Sequence, residues 1–197
     1  MQKLLCSFLP LVAAGLIGNA AAQQATPTVR PVTQEKSQRK PADSSASVAQ
    51  KPEGKHSRPE DRERVVAIAH ELEAAPLDHG LEPDRAWAVQ WVVAAPDVHV
   101  RICTTLLADL RRPRYKYRSE VVDQLLISSA AFLIEHPELG DGVPIQSVGG
   151  MEGVLKAYEA ILKTDPHATA KSLDEYLEKQ KQGKLAEIVK DAVKECH

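Results

Sequence analysis

The chain has 197 residues, of which 43% are hydrophobic and only 4% aromatic, and its formal net charge at pH 7 is −2. The charge is uneven, because residues 23–58 carry 7 basic and 3 acidic side chains whereas residues 59–197 carry 17 basic and 24 acidic ones. A region with a net charge of −7 and few aromatic rings is a poor general binder of nucleic acid, which is held by phosphate neutralisation and base stacking.

The N-terminal segment predicts export. Lys3 precedes an apolar run over residues 4–17, and small residues follow at 20–22, so residues 1–22 are interpreted as a signal peptide. An uncleaved anchor is the alternative, although the run is short for a membrane span. The mature chain is then expected in the periplasm or outside the cell, with no membrane span of its own.

Residues 23–56 are predicted to be a disordered tether. They are rich in Gln, Ser, Thr, Ala, Pro and Lys, and their only large apolar residues are Val29, Val32 and Val48. So little apolar surface cannot offset the entropy of ordering the segment. A weak attraction of its basic side chains to anionic envelope surfaces is an alternative to a plain spacer.

Residues 57–197 are predicted to form one all-α domain of six or seven helices. The first helix spans residues 59–74, because apolar residues recur there at helical spacing and residues 57–60 have the spacing of a capping box. The second spans residues 83–95 and carries Trp87 and Trp91 one turn apart. A third helix is expected to begin at a cap on Asp97 and to end at Pro113. It would contain Ile102, Leu106, Leu107 and Leu110.

The fourth helix, over residues 119–135, is the most apolar segment after residue 22 and is predicted to be the central, mostly buried element. Its small residues 128–131 would let neighbouring helices approach closely. The predicted buried stripe consists of Val122, Leu125, Leu126, Ser129, Ala130 and Leu133.

Residues 136–150 contain two prolines and four glycines and are interpreted as a long connecting loop. Three further helices are predicted after it, over residues 151–163, 172–182 and 185–195. Within this part, residues 149–166 resemble the second helix of a tetratricopeptide repeat in the positions of Gly149, Tyr158 and Pro166. The resemblance covers 18 residues in a single copy, and it implies peptide or protein binding.

Two cysteines remain after removal of the signal peptide, Cys103 and Cys196. An even pair in an exported protein predicts a disulfide, with two buried thiols as the alternative. Neither cysteine belongs to a CxxC pair, so no zinc site, other metal or cofactor is predicted.

The basic stretch of residues 111–118 is the first candidate binding site. Arg112, Arg114, Tyr115 and Tyr117 could form a clamp for an anionic protein or envelope polymer, since arginine forks suit carboxylate and phosphate groups. The alternative is a solvated, ion-paired connection between helices. Trp87 and Trp91 are expected in the core, or with one exposed edge that anchors a partner.

These features favour an exported domain that binds a protein of the envelope or the extracellular space, and no residue selects among an inhibitor, an immunity-type protein and a chaperone. The alternative is a small enzyme that uses the loop at 136–150 with His136, Glu138 and Asp141. A structural protein without a discrete site is a third hypothesis. A polar pocket at that loop would favour the enzyme, and an exposed apolar groove would favour binding.

Overall fold

Six α-helices and three short 3-10 helices make up all the regular structure in the described part of the chain. The computed structural model describes residues 56–111, 115–194 and 196, so the predicted signal peptide and all of the predicted tether except His56 lie outside it. The α-helices are α1 (Pro59–Ala74), α2 (Glu82–Ala94), α3 (Arg118–Glu135), α4 (Val143–Thr164), α5 (Lys171–Lys181) and α6 (Leu185–Ala192). The 3-10 helices are His79–Leu81, Thr104–Arg111 and Pro137–Leu139. The predicted all-α class is confirmed for the described residues.

Helix α1 has the predicted bounds but not the predicted cap. Its buried residues are Val65, Ile68, Ala69 and Leu72. Arg58 is the N-cap and gives no side-chain hydrogen bond. Ser57 is instead buried, and its backbone N–H donates to the Asp97 carboxylate at 3.0 and 3.1 Å. The capping box therefore does not form, because the Ser57 N–H is already bonded to the carboxylate of Asp97, which is distant in sequence.

The prediction of a helix from Asp97 is wrong. Residues 98–103 follow an irregular path, and only Thr104–Arg111 is helical, as a 3-10 helix that is interrupted by a non-helical backbone at Leu107. Asp97 cannot act as a local cap because its carboxylate is engaged by Ser57 and by Arg62. The N–H of Arg101 likewise donates to the Gln146 side chain at 2.7 Å rather than to a helical carbonyl.

Helix α3 lies between two hydrophobic clusters. Val121 and Leu125 belong to a cluster built mainly by α4, α5, α6 and the 3-10 helix Thr104–Arg111. Ile127, Ala130 and Ala131 belong to a second cluster with α1 and α2. The predicted stripe is only partly correct, because Val122 is 39% exposed and Leu126 and Leu133 are partly buried. The helix buries several of its faces because helices pack around most of it.

The predicted loop at 136–150 is also partly wrong. It contains the short 3-10 helix Pro137–Leu139, and α4 begins at Val143 with a proline in its first turn. Gly149 and Gly150 lie inside α4, where a Cβ would collide with Phe132 and with the Ser129 hydroxyl of α3. The glycines thus mark a close helix crossing and not a break.

The C-terminal helices follow the predictions more closely. Helix α5 begins one residue earlier than predicted and is followed by Gly183 at a φ of 70°, and α6 ends at Ala192 rather than at residue 195. Among the described helices, none is long and apolar enough to cross a membrane.

Candidate functional site: an apolar cleft beside α3

An apolar cleft opens between the 3-10 helix Thr104–Arg111 and the N-terminal half of α3. Its volume is about 120 Å³. A cavity of about 150 Å³ accommodates a benzene molecule, so this cleft has room for one branched aliphatic side chain. It is lined by Ile102, Cys103, Thr104, Leu107, Arg118, Val122 and Leu125.

The cleft has a buried floor and exposed apolar walls. Cys103, Leu107 and Leu125 are 2%, 6% and 1% exposed, whereas Ile102 and Val122 are 37% and 39% exposed. Exposed large hydrophobic residues are few in the described chain, and these two flank the same opening. An apolar side chain entering there would cover both of them, which is the pattern expected of a binding groove.

Helical spacing and one crosslink shape the cleft. Arg118, Val122 and Leu125 stand at positions i, i+4 and i+7 of α3 and therefore share one face of that helix. In the floor, Cys103 is joined to Cys196, with Cα atoms 5.8 Å apart and a sequence separation of 93. That spacing is normal for a disulfide, and the pairing agrees with the sequence prediction.

Arg118 supplies positive charge at the cleft. Its side chain is exposed, and no carboxylate among the described residues pairs with it. Arg112 and Arg114 lie outside the described residues. In sequence they belong to the segment that links the two walls, between Arg111 and Tyr115. The candidate anion clamp and the cleft are thus consecutive parts of the chain.

Tyr115 faces the core, and Lys116 and Tyr117 contact Asp165, which directly follows α4. Tyr115 is half-buried against the first hydrophobic cluster, and burial raises the pKa of its hydroxyl. Tyr117 donates its hydroxyl hydrogen to Asp165 at 3.0 Å, and the Lys116 ammonium lies 3.0 Å from the same carboxylate. These contacts hold the start of α3 in place and match the ion-paired alternative for Lys116.

Trp87 and Trp91 are core residues, being 6% and 2% exposed. Their rings stack with centroids 6.4 Å apart. The Arg64 guanidinium lies 3.9 Å from the Trp87 ring centre and pairs with Asp84 at 2.9 Å. Neither indole contributes to the cleft.

Two of the three residues of the alternative, enzymatic site contact each other, and the third pairs elsewhere. His136 lies 3.5 Å from Glu138 and packs on the Phe132 ring, whereas Asp141 pairs with Arg101 at 3.5 Å. The described residues include no group of three His, Cys, Asp or Glu side chains that could hold a metal ion.

A second pocket, of about 180 Å³, does reach this segment. Asp97 lines it, and although partial burial opposes ionisation, hydrogen bonds from Ser57 and the charge of Arg62 lower the pKa of Asp97. The pocket lining includes Arg62, Asp97, His99, Pro137, Gly140 and Asp141.

Sequence reasoning misses the cleft because it predicts both walls to belong to regular, core-facing helices. Ile102 falls in the predicted third helix and Val122 in the predicted buried stripe of the fourth. The strand-like alternation of residues 98–102 was the available signal, since a segment that departs from the helical period need not bury one continuous face.

Comparison of this chain with models of protein families, with curated proteins and with solved structures gave no match.

Proposed function

We propose that this protein is an exported helical domain that acts by binding another protein of the cell envelope or the extracellular space. The observation that carries the proposal is the apolar cleft, whose two exposed walls, Ile102 and Val122, stand over a buried floor. An aliphatic side chain of a partner would fill the cleft and remove both walls from water. Burial of such a side chain stabilises a complex by about 1.5–3 kcal/mol.

The positive charge of Arg118 indicates which side chains a partner would present to the cleft. Arg118 has no described counter-ion, and an arginine fork pairs well with a carboxylate. The fitting partner therefore presents an aliphatic side chain next to an acidic one. The net charge of −7 on residues 59–197 discourages unselective anion binding at longer range, so recognition depends on the local pairing.

Two features support action outside the cytoplasm. The chain begins with the pattern of a signal peptide, and Cys103 and Cys196 are paired across the domain. Such a disulfide persists in oxidising compartments and is rare in the cytosol.

The test compares capture of proteins from the envelope fraction by wild type and by cleft variants. Val122→Asp and Ile102→Asp place a charge in the cleft, and Val93→Asp is the matched control, because Val93 is 77% exposed on α2 outside the cleft. We expect a protein retained by wild type and by Val93→Asp to be lost from both cleft variants. Equal retention by all four proteins would refute the cleft as the docking surface.

The alternative enzymatic function has one observation in its favour, the second pocket beside Asp141. Screening mixtures of small polar metabolites by NMR tests it. Shifts of the His99 and Asp141 amides that are lost in Asp141→Asn would favour the enzyme, and the absence of such shifts would favour the binding function.

A further inference from the structure

A side chain with the features expected of a cleft ligand stands on the surface of this same chain. Leu139 is 51% exposed at the end of the 3-10 helix Pro137–Leu139. Glu138 precedes it with a side chain 65% exposed, and Asp141 follows with 66% exposed. Gly140, at a φ of 74°, turns the backbone directly after the leucine. Leu139 and these two carboxylates are called the acidic knob below.

The acidic knob and the cleft are linked through Arg101. Arg101 donates to the Asp141 carbonyl oxygen at 3.1 Å and pairs with its carboxylate at 3.5 Å. Arg101 directly precedes Ile102, which forms a wall of the cleft. When one chain carries both a projection and a complementary hollow, two copies related by a two-fold axis can each place the projection in the hollow of the other.

We propose that the cleft takes the acidic knob of a second copy, with Leu139 between Ile102 and Val122 and Glu138 against Arg118 of the other chain. The inference rests on the proposed role of the cleft as a docking surface. The cleft has room for one aliphatic side chain, which matches the size of Leu139. Arg118 has no described counter-ion, so Glu138 of the second copy can pair with it.

The tether of the same chain is a poorer occupant. Residues 23–56 carry six basic and three acidic side chains, a net charge of +3, and their large apolar residues are three isolated valines. Such a segment would bring positive charge towards Arg118 rather than neutralise it. Charge complementarity therefore favours the knob of a second copy over the tether.

The symmetric contact is weak and reversible. Each copy contributes one inserted leucine and one ion pair, and two chains that each carry −7 over residues 59–197 repel one another. A dissociation constant between about 10 µM and 1 mM is expected for a contact of this size. While the dimer exists both clefts are filled, so self-association and partner binding compete for one surface.

Sedimentation velocity on the protein purified as the cell processes it tests the dimer. Concentrations from about 10 µM to about 1 mM cover the expected range. The average mass of wild type and of the Val93→Asp control should rise towards a dimer, whereas Leu139→Asp and Val122→Asp should stay monomeric. Both replaced side chains are partly exposed, so unchanged circular dichroism and melting of the variants are expected.

A charge swap identifies the contact itself. Arg118→Glu and Glu138→Arg should each weaken association about tenfold, which is the effect of about 1.4 kcal/mol, and the double variant should recover most of it.

A wild-type protein that is monomeric throughout the range would overturn the inference, as would association that persists in Leu139→Asp. Neither result touches the proposed binding of another protein, because capture by the cleft is measured separately at low concentration. If Val122→Asp loses capture and wild type is monomeric, the proposed binding function is supported and only the proposed dimer is refuted.

Discussion

On its α4 side, α3 leaves no space for a methyl group, whereas on the side of the 3-10 helix Thr104–Arg111 it leaves a cleft of about 120 Å³. The first contact joins two regular helices, with glycines of α4 against Ser128, Ser129 and Phe132 of α3. The second joins a regular helix to a short, kinked one, which has no continuous ridge to fill the groove of its neighbour.

The two sides also differ in what fixes them. Close packing fixes α4 against α3. The 3-10 helix buries Leu106, Leu107 and Leu110 in the first hydrophobic cluster, and the Cys103–Cys196 crosslink ties its start to the C-terminal segment. A helix crossing filled by direct contact leaves no room for a ligand, whereas the less regular contact leaves the cleft open.

Removing the crosslink should have the largest effect. We expect the double variant Cys103→Ser/Cys196→Ser to lose about 4–5 kcal/mol of unfolding free energy, because the bond closes a loop of 93 residues. Urea unfolding of oxidised wild type and of the variant measures the loss. In hydrogen exchange, residues 102–111 should lose protection before the α3–α4 crossing does. Two free thiols in the unreduced wild-type protein would contradict the pairing.

Substitutions of Leu125 and Val122 compare a buried position of α3 with one that borders the open cleft. Leu125 is 1% exposed and Val122 is 39% exposed on the same helix. Leu125→Ala should cost about 2–5 kcal/mol, the range for a buried leucine, and Val122→Ala less than about 0.5 kcal/mol. Equal costs in chemical denaturation would show that the cleft wall is part of the core.

The close crossing is probed by adding one methyl group. Gly150→Ala should destabilise the fold by about 1–3 kcal/mol through overpacking, although alanine favours a helix. Its Cβ would strike the Ser129 hydroxyl, with the Leu125 carbonyl oxygen 3.1 Å away. Adding Ser129→Ala should recover part of the loss in a double-mutant cycle.

The matched control for that crossing is Gly142→Ala. The nearest atom to a Cβ at Gly142 is 3.9 Å away, so this variant should melt close to wild type. A Gly150→Ala protein as stable as the control would show that the two helices can move apart.

His70 should make the free energy of unfolding depend slightly on pH. Hydrogen bonds to Glu135 and then to Glu73, each at 3.1 Å, raise the pKa of His70, and Lys156 pairs with the same Glu73 at 2.9 Å. Because the folded pKa is the higher one, the stabilisation is complete below the unfolded value of about 6.5 and is lost as pH rises through the folded value.

The expected size of this effect is under about 1 kcal/mol, since the His70 side chain is 48% exposed and exposed ion pairs contribute little. Unfolding free energies measured at about pH 5.5 and pH 8 should therefore differ slightly in wild type, with the acidic sample more stable. The His70→Gln variant should show a smaller difference, and an equal difference in both proteins would assign the pH dependence to other groups.

Local sequence pattern is enough to predict the helical class, most helix positions and the cysteine pair. Val65, Ile68, Ala69 and Leu72 recur at the helical period, and the structure buries all four. Cys103 and Cys196 are the two cysteines that follow the predicted signal peptide, and the structure pairs them. Periodicity suffices for the helices because it is local, and the even count of cysteines favours the disulfide over two buried thiols.

Three features depend on contacts between residues that are distant in sequence: the path of residues 97–103, the start of α4 and the cleft beside α3. Asp97 has the sequence of a helix cap, but its carboxylate binds Ser57, 40 residues away. Gly149 and Gly150 have the composition of a loop, yet they lie in a helix because α3 comes too close for any side chain. Val122 is apolar and regularly spaced, yet it borders a cleft. In each case the outcome depends on a residue that is distant along the chain. The local sequence pattern does not indicate which distant residue will pack against a given side chain, or whether any will.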